Sequence, residues 1–313
     1  MARIPRFHDP RRIGTLFYPD VSKIAAQAAR AGLPPASEDL CRTHLLIVDM
    51  QVDFCHERGA LHVPGAKEDL ARLIEFIYRR AESITSITCS LDSHLPHQIF
   101  TPSWWSDARG RQPPAFTIVT RDDLDQGIWR PRREPAWSRR YLRRLERTAK
   151  KALTIWPYHV PIGGVGQALD PELWSAVFWH ALARESQPTF WTKGSNPKTE
   201  HYSLIRPEIP VSSSDAGGRG LLRLLRSQDR IIVAGEAASH CVLETLEDLV
   251  EEFGGQPRAL RRLCLLRDCT SPVAHPRVDF AALTEKRFAE FERMGIRFIK
   301  SGDPAAWSDL LRS

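Results

Sequence analysis

The 313-residue chain contains no apolar run that could cross a membrane as a helix, which takes about 20 residues. Its basic start, MARIPRFHDPRRIG, lacks the apolar stretch that a secretory signal needs. Six cysteines in a chain of this length do not indicate a disulfide scaffold, and we find no internal repeat or low-complexity tract. Together these absences predict a cytoplasmic protein with reduced thiols and no membrane partner.

The net charge of +6 comes from one segment and does not describe the whole chain. Residues 130–151 hold ten Lys or Arg and two Glu, so the rest of the chain carries a slight excess of acid. Trp129, Trp137 and Tyr141 are interleaved with these cations, a composition that could bind phosphates and stack bases. We favour the plainer interpretation, an exposed helix face or a subunit contact.

Short β-branched or apolar runs alternate along the chain with segments whose apolar residues recur at helical spacing. The strand-like runs are residues 44–50, 84–92, 189–194, 230–236, 262–269 and 296–302. The helical patterns cover residues 66–80, 171–186, 217–227, 240–254 and 279–294. This alternation predicts an α/β fold of three layers, α/β/α, with a mostly parallel sheet covered by helices on both faces.

Two parts of the chain lie outside this alternation. Residues 1–42 form an N-terminal extension with a predicted helix near 21–31, and residues 43–313 form the main domain. After the second strand, residues 98–155 form an insertion that is rich in Trp, Pro and Arg and has a predicted helix at 137–150. We interpret the insertion as an excursion on the sheet rather than an independent domain.

Residues with reactive side chains follow four of the predicted strands. Asp49 ends the first strand, DSHLPH follows the second, Lys193 ends the third, and the fourth leads to Cys241. In an open parallel sheet, ligands bind at the carboxyl ends of the strands. An acid, a candidate metal cluster, a lysine and a cysteine are therefore expected on one edge of the sheet.

Cys241 lies between a predicted strand and a predicted helix, where free backbone N–H groups and the helix dipole stabilise a thiolate. We interpret Cys241 as a nucleophile, Asp49 as the base that takes its proton, and Lys193 as the cation that holds the carboxylate. Backbone N–H groups near Ala237 and Cys241 would form an oxyanion hole. Each of the three residues alone could have a purely structural role. Their expected presence together at one edge of the sheet favours a thiol hydrolase.

Asp92, His94 and His97 have a spacing suited to one metal ion at the end of the second strand. Carboxylate and imidazole ligands together suit Zn²⁺, Fe²⁺ or Mn²⁺. The Asp-x-His pattern is weak by itself, because polar residues are common where strands end. His159, in the stretch TIWPYHV, is a further candidate whose return to this edge cannot be derived from spacing.

Five segments of the chain resemble the nicotinamidase-type members of the isochorismatase-like cysteine hydrolases. They occur in that family's order between residues 44 and 270, and they are LLIVDMQVDFCHERGALHVPGA, SLDSHLPHQIF, IWPYH, TKGSNPKTEHYS and VAGEAASHCV. The extension and most of the insertion lie outside the resemblance. It implies a six-stranded, mostly parallel sheet flanked by helices, and hydrolysis of nicotinamide to nicotinate and ammonia through a cysteine thioester.

The resemblance also implies roles for single residues. The family's catalytic triad would fall on Asp49, Lys193 and Cys241, and its cis peptide bond on Glu236–Ala237. The metal of the nicotinamidase branch, for which zinc is expected, binds the pyridine nitrogen of the substrate. The ligands of this metal would fall on Asp92, His94 and His159, with His97 as a fourth. The walls of the ring pocket would fall on Phe54, Trp156 and Tyr202.

The sequence departs from the family's pattern in several places. Glu236 stands where the family usually has an apolar residue, and an outward orientation would spare it a buried partner. The insertion would lie beside the pocket mouth, where it could change or exclude substrates. His240 precedes the nucleophile, but adjacent residues at a helix start point in different directions, which disfavours a direct role. Asp268 is expected to order the neighbouring loop.

Several functions stay open at this stage. The first is a metal-assisted amidase acting on nicotinamide, and the second is a cysteine hydrolase of another small amide or ureide, which the insertion favours. Binding of nucleic acid through residues 130–151 and a catalytically silent scaffold are weaker alternatives. Isochorismate hydrolysis is disfavoured because that chemistry does not use the cysteine. The oligomeric state is open, and the insertion could form the contact of a homo-oligomer.

Overall fold

The computed structural model describes residues 3–149, 152–211, 218–254 and 256–312. The strands are β1 (Thr43–Val48), β2 (Ser86–Asp92), β3 (Trp105–Ser106), β4 (Ile118–Val119), β5 (Arg130–Pro131), β6 (Leu153–Thr154), β7 (Thr189–Lys193), β8 (Arg230–Gly235), β9 (Leu263–Leu266) and β10 (Arg297–Ile299). The helices are α1 (Val21–Ala28), α2 (Val52–Cys55), α3 (Ala66–Arg80), α4 (Arg121–Asp125), α5 (Pro135–Arg144), α6 (Pro171–Ala183), α7 (Arg219–Arg226), α8 (Cys241–Glu252), α9 (Pro257–Leu260), α10 (Phe280–Met294) and α11 (Pro304–Arg312).

The central sheet has six parallel strands in the order β10-β9-β8-β1-β2-β7. Every residue of β1 and of β8 is buried, as expected for strands covered on both faces. The prediction of a mostly parallel six-stranded sheet is confirmed. Because all strands run the same way, their carboxyl ends lie along a single edge, which we call the strand-end edge.

Helices cover the sheet on both faces, which gives the predicted three layers. Side chains alternate across β1, so that Leu45 and Ile47 enter one hydrophobic core while Leu46 and Val48 enter the other. The first core is completed by apolar residues of α1, α3, α6 and α11. The second is completed by those of α7, α8 and α10.

The helix boundaries agree with the spacing of apolar residues and with the end signals in the sequence. Helix α3 spans the predicted residues 66–80, with Glu68 and Asp69 in its first turn and Arg79 and Arg80 in its last turn. This arrangement of charges complements the helix dipole. Helix α6 begins at Pro171 behind the capping carboxylate of Asp170 and ends three residues earlier than predicted.

The extension and the insertion both pack on the main domain. In the extension, His8 Nδ1 lies 2.7 Å from Glu172 of α6, and Gly14 N donates to Asp170 at 3.0 Å. The insertion contains α4, α5 and two small antiparallel pairings, β3 with β5 and β4 with β6. Helix α5 begins two residues before the predicted start and continues into a π-helical turn, Leu145–Ala149.

Among the described residues, no helix has the length and apolar character that crossing a bilayer requires. All six cysteines are free thiols.

Candidate active site

Asp49 lies at the carboxyl end of β1 and is completely buried. Its backbone adopts a φ of +44°, which turns the chain out of the strand. The neighbouring strand holds the residue in place, because Asp49 N donates to Ser90 Oγ at 2.9 Å and the Ser90 hydroxyl donates to Asp49 Oδ1. The second oxygen of the carboxylate is therefore directed towards a different partner.

That partner is Lys193, at the end of β7. Its Nζ lies 2.9 Å from Asp49 Oδ2 and 3.0 Å from Asp92 Oδ1. Because β2 separates β1 from β7, the lysine reaches across the end of β2, where Asp92 pairs with it in register. Lys193 is thus an ammonium ion held between two buried carboxylates.

Cys241 is the first residue of α8 and is 7% exposed. Lys193 Nζ lies 3.5 Å from its Sγ, and ligand atoms of Asp49, Asp92 and Cys241 all lie within 4.8 Å of one another. The structure therefore brings together the three residues predicted as a triad, from three different strand ends.

The charges of this cluster follow from burial and from Lys193. Burial opposes the ammonium, but Asp49 and Asp92 raise the pKa of Lys193 well above its usual value. Burial raises the pKa of Asp49, against the effect of Lys193. Burial also raises the pKa of Cys241 well above its usual value, so the resting thiol keeps its proton. The thiolate expected at this helix start must therefore be generated by transfer of that proton.

Two glycines make the close approach of these strand ends possible. A Cβ on Gly194 would lie 2.4 Å from Asp92 Oδ1, and one on Gly235 would lie 2.0 Å from Val48 O. Both glycines have positive φ values, +83° and +121°, which residues with side chains rarely adopt. The Lys-Gly strand end in the sequence is thereby explained, since a side chain at residue 194 would displace the carboxylate that Lys193 binds.

The turn from β8 to Cys241 contains the cis peptide bond Glu236–Ala237 at the position that the resemblance implies. Ala237 and Cys241 both line the same cavity. Cys241 is the first residue of its helix, where backbone N–H groups have no acceptor within the helix. The turn therefore has the local structure expected of an oxyanion hole.

A candidate metal centre lies beside this cluster. One ligand atom from each of Asp92, His94 and His159 lies within 4.8 Å of the others, and all three residues are buried. His159 Nδ1 lies 2.8 Å from Pro157 O and His94 Nδ1 lies 3.1 Å from Gly194 O. Since a carbonyl only accepts, both Nδ1 atoms carry a hydrogen, which leaves Nε2 of each ring as the nitrogen that could bind a metal. His94 Nε2 lies 2.8 Å from Asp92 Oδ2, so these two candidate ligand atoms are already adjacent.

Electrostatics support the same conclusion. Burial, and secondly His94, lowers the pKa of His159 to about 3, so its ring is neutral, the form that binds metals. Burial opposes the charge of Asp92, but His94 and Lys193 lower the pKa of this carboxyl and keep it ionised. Two imidazoles and one carboxylate fit a divalent ion such as Zn²⁺, Fe²⁺ or Mn²⁺.

His97 does not join these ligands. Its side chain is exposed, and its Nδ1 lies 2.9 Å from Ser103 Oγ in the first turn of the insertion. His97 follows His94 by three positions, and the chain between them leaves the strand-end edge through Leu95 and Pro96, which are exposed. The prediction of a fourth ligand is therefore not supported by the geometry.

One cavity connects the cysteine with the candidate metal centre, and it encloses about 380 Å³ including its open mouth. The predicted ring walls Phe54, Trp156 and Tyr202 all line it. Cys241, Asp92, His94 and His159 face the same space.

Several residues of this cavity were missed in the sequence. His240 lines it, in contrast to the expectation from its position beside Cys241, and its ring packs against Trp156, Tyr202 and Phe280. Glu200 also lines it and accepts a hydrogen bond from Trp156 Nε1. Glu200 belongs to the stretch EHYS, which follows Lys193 in one of the segments that resemble the family. That position could have indicated that Glu200 lies at the cavity.

Gln51 and Asp53 of the segment DMQVDF form hydrogen bonds with the backbone at or next to the candidate metal ligands. Gln51 exchanges two hydrogen bonds with the backbone of Asp92, each 2.8 Å long. Asp53 Oδ2 accepts from Val160 N at 2.6 Å, which fixes the residue after His159. Both residues were part of the resemblance, but only the structure assigns them these contacts.

Glu236 is completely buried, so the expected outward orientation is wrong. Its Oε2 accepts a hydrogen bond from Ser271 N at 3.2 Å. Burial, and secondly the charge of Asp69, raises the pKa of Glu236 well above its usual value. Glu236 therefore keeps its proton and shares it with Asp69, which is paired with Arg72 at 2.6 Å.

Two more expectations concern residues away from the cavity. Asp268 accepts hydrogen bonds from the backbone and hydroxyl of Ser301, at 2.8 and 2.9 Å, and so orders the loop after β10 as expected. In the basic segment, Tyr141 is completely buried and Trp137 is half-buried, so these aromatic rings are not presented for base stacking.

The sequence matches no protein-family model and no curated protein. Solved structures share its fold. A yeast nicotinamidase bound to the inhibitor nicotinaldehyde has a TM-score of 0.55 and 16% identity, covering 82% of this chain and 99% of that chain. An Acinetobacter baumanii nicotinamidase/pyrazinamidase has a TM-score of 0.53 and 17% identity, covering 84% and 98%. A protein of L. infantum in complex with nicotinate has a TM-score of 0.50 and 22% identity, covering 84% and 97%.

At these identities the likeness is one of fold. The chain has the isochorismatase-like α/β/α fold, as the resemblance of its motifs implied.

Proposed function

We propose that the chain is a metal-assisted cysteine amidohydrolase that converts nicotinamide to nicotinate and ammonia. The observation that carries this proposal is the contact of Lys193 with Asp49, Asp92 and Cys241 in one aromatic-walled cavity. The cavity also contains two histidines whose Nε2 atoms are suited to a metal. A divalent ion on Asp92, His94 and His159 would supply a Lewis acid that binds the ring nitrogen and orients the ring.

The first half of the reaction forms a thioester. Asp49 accepts the proton of the Cys241 thiol, and the thiolate attacks the carboxamide carbon of the substrate. The oxygen of that group takes the negative charge and accepts hydrogen bonds from the backbone N–H groups of Ala237 and Cys241. Asp49 then returns its proton to the amide nitrogen, the C–N bond breaks, and ammonia leaves.

The second half releases the acid. Asp49, again a carboxylate, takes a proton from a water molecule, which attacks the thioester carbon. The C–S bond breaks, the thiolate of Cys241 recovers the proton from Asp49, and the product leaves the cavity as the acid, which loses its proton to water or ammonia and becomes nicotinate. Lys193 keeps its charge throughout and holds Asp49 in reach of both steps.

The second candidate is a cysteine hydrolase that acts on another small amide or ureide. The buried carboxylate of Glu200 favours it, because this acceptor in the cavity wall suits a ligand with more N–H donors than nicotinamide has. Residues 43–313 as one hydrolase domain, a cytoplasmic location and a homo-oligomer remain predictions.

Ammonia release from nicotinamide by the purified protein tests the proposal, with bound metal analysed in the same preparation. We expect Cys241→Ala to lower the rate at least about a thousandfold, as for other nucleophile variants. Removal of metal by a chelator should abolish turnover, and addition of Zn²⁺, Mn²⁺ or Fe²⁺ should restore it. Cys41→Ala is the matched control, because Cys41 lies just before β1, at the opposite end of the sheet.

Wild-type turnover that persists in Cys241→Ala would contradict the assignment of the nucleophile. A protein that contains metal but leaves nicotinamide intact would instead contradict the substrate, and a panel of small amides and ureides would follow.

A further inference from the structure

The loop that carries Glu200 and Tyr202 is held in place by the insertion. This loop, residues 194–208, leaves the strand-end edge directly after Lys193. Among the described residues it contains no helix or strand, so its backbone depends on contacts with other parts of the chain. The insertion, residues 98–155, supplies such contacts along much of the loop.

The start of the insertion holds the first part of the loop. Gln98 Nε2 donates to Gly194 O at 2.7 Å and to Asn196 O at 3.1 Å. Ile99 N donates to Pro197 O at 2.9 Å. Because Gly194 O also accepts from His94, these bonds connect the insertion to the candidate metal centre.

Helix α5 holds the rest of the loop. Trp137 Nε1 donates to Lys198 O at 2.8 Å, and Lys198 Nζ pairs with Glu134 at 2.9 Å. One helical turn further on, the hydroxyl of Tyr141 donates to Glu208 Oε1. Burial and the adjacent Glu208 raise the pKa of Tyr141 well above its usual value, so this hydroxyl remains a donor.

Glu208 connects Tyr141 to the backbone next to the cavity. Its carboxylate accepts from Thr199 Oγ1 at 2.6 Å, from Glu200 N at 2.9 Å and from His201 N at 2.8 Å. Burial opposes its charge, but these hydrogen bonds and the one from Tyr141 lower the pKa of Glu208 and keep it ionised.

His201 has a φ of +65°, a conformation that residues with side chains adopt only where surrounding contacts impose it. Glu208 supplies such a contact through His201 N. The conformation of His201 affects the cavity, because both of its neighbours in the chain line it. Glu200 accepts from Trp156 Nε1, and Tyr202 accepts from the same N–H at 3.1 Å.

We propose that the insertion sets substrate specificity by clamping loop 194–208, and that Tyr141 and Glu208 are positioning residues for the cavity wall formed by Glu200 and Tyr202. The role in specificity rests on the proposed function, whereas the clamp itself does not. The insertion thereby acts on the substrate through the loop and not by entering the cavity.

Tyr141→Phe tests the clamp, because it removes one hydroxyl and keeps the ring. Tyr78→Phe is the matched control, since Tyr78 is equally buried and its hydroxyl has no hydrogen-bond partner in the part of the chain described. Hydrogen exchange of the amides in residues 199–205 should be faster in Tyr141→Phe by roughly tenfold, the effect of one lost hydrogen bond to a charged group. The control should match the wild type.

The role in specificity is tested by steady-state kinetics with nicotinamide. We expect Tyr141→Phe to raise KM by about fivefold or more and to change kcat by less than about twofold, since a hydrogen bond that orders a binding wall is lost while the triad is intact. Trp137→Phe, which removes an independent contact, should act in the same direction. Glu208→Gln should have the largest effect, because it replaces a carboxylate that accepts four hydrogen bonds.

Exchange in residues 199–205 that equals the control in both Tyr141→Phe and Trp137→Phe would overturn the clamp. Faster exchange with an unchanged KM would overturn the role in specificity and reduce the contact to a structural one. If nicotinamide is not a substrate at all, the exchange experiment still decides on the clamp, so failure of the proposed function is separately visible.

Discussion

Two pairs of buried carboxyl groups lie near the strand-end edge, and they differ in the position of the nearest cation. Asp49 and Asp92 have Lys193 between them, at 2.9 and 3.0 Å. Asp69 and Glu236 have Arg72 on one side, 2.6 Å from Asp69 and in a side chain that is 41% exposed. All four carboxyl groups are nearly inaccessible to water.

The consequence is a different charge state for each pair. In the first pair, Lys193 opposes the rise that burial causes in the pKa of Asp49, and His94 and Lys193 lower the pKa of Asp92, so the pair retains negative charge beside Cys241. In the second pair, the cation found among the described residues is Arg72 on the Asp69 side, and burial and Asp69 raise the pKa of Glu236 well above its usual value. The placement of one cation therefore decides whether a buried acid is a base or a neutral hydrogen-bond donor.

Removal of the central cation should have the largest effect. Lys193→Met would leave Asp49 and Asp92 buried without a counter-ion, which typically destabilises a protein by about 3–5 kcal/mol. We expect turnover to fall at least about a thousandfold as well, because the base and the thiol lose their common partner. Chemical unfolding and ammonia release measure the two effects.

Lys198→Met is the matched control for this variant. Lys198 lies in loop 194–208, which follows Lys193, and its side chain is 32% exposed in an ion pair with Glu134. An ion pair of this kind contributes less than about 1 kcal/mol. Equal losses of stability in the two lysine variants would contradict the distinction between the pairs.

Removal of the proton donor in the second pair should have a smaller effect. Glu236→Leu leaves an oxygen of Asp69 and the N–H of Ser271 without their partners, which we expect to lower the free energy of unfolding by about 1–3 kcal/mol. Glu236→Gln should cost less, since its amide N–H donates to Asp69 and its oxygen accepts from Ser271 N. If the two variants are equally stable, Glu236 does not act as a donor.

The smallest effect is a dependence of stability on pH. The unfolded chain releases the Glu236 proton near its ordinary pKa of 4.5, while the folded chain keeps it to higher pH. The stabilisation is therefore complete below 4.5 and is lost as the pH rises towards the folded pKa, at up to about 1.4 kcal/mol per pH unit. The groups that face Glu236 are Asp69, Arg72 and the N–H of Ser271.

Urea unfolding at a series of pH values measures this effect as the difference between wild type and Glu236→Gln. We expect the wild type to lose stability relative to the variant as the pH rises above 4.5. Asp69→Asn should flatten the difference, because it removes the charge that opposes ionisation of Glu236. A difference that is constant with pH would show that Glu236 ionises normally in the folded protein.

The sequence alone predicts that Asp49 and Asp92 lie at one edge of the sheet, but it does not predict the pair formed by Asp69 and Glu236. Asp49, Lys193 and Cys241 each end a strand or begin the helix after one, so the parallel topology alone predicts that they meet. The same rule placed Asp92 and His94. His159 could not be placed in this way, because it follows a long insertion, and only the resemblance connected it with the site.

Asp69 and Glu236 carry no such signal. Asp69 lies in the first turn of a helix, where an acid is ordinary, and its contact with Glu236 depends on how α3 packs against the turn after β8. The clamp on loop 194–208 was inaccessible for the same reason. Tyr141 and Glu208 are 67 residues apart, and no periodicity relates them. For His97 the sequence predicted a contact that the structure does not show. Its spacing from His94 suits a metal ligand, but the chain turns away from the candidate metal centre before it reaches His97.

The pairing of β1 with β8 has a consequence for synthesis of the protein. On the ribosome, β1 can join β2 soon after both have emerged, but its other edge waits for residues 230–235. Until then this strand, which is fully buried in the folded protein, has an open edge, the kind of surface on which nascent chains aggregate or recruit chaperones. Cys241 follows directly after β8, so the last strand needed to close this gap also delivers the thiol. The thiol of Cys241 thus leaves the ribosome only after the strand that covers this edge.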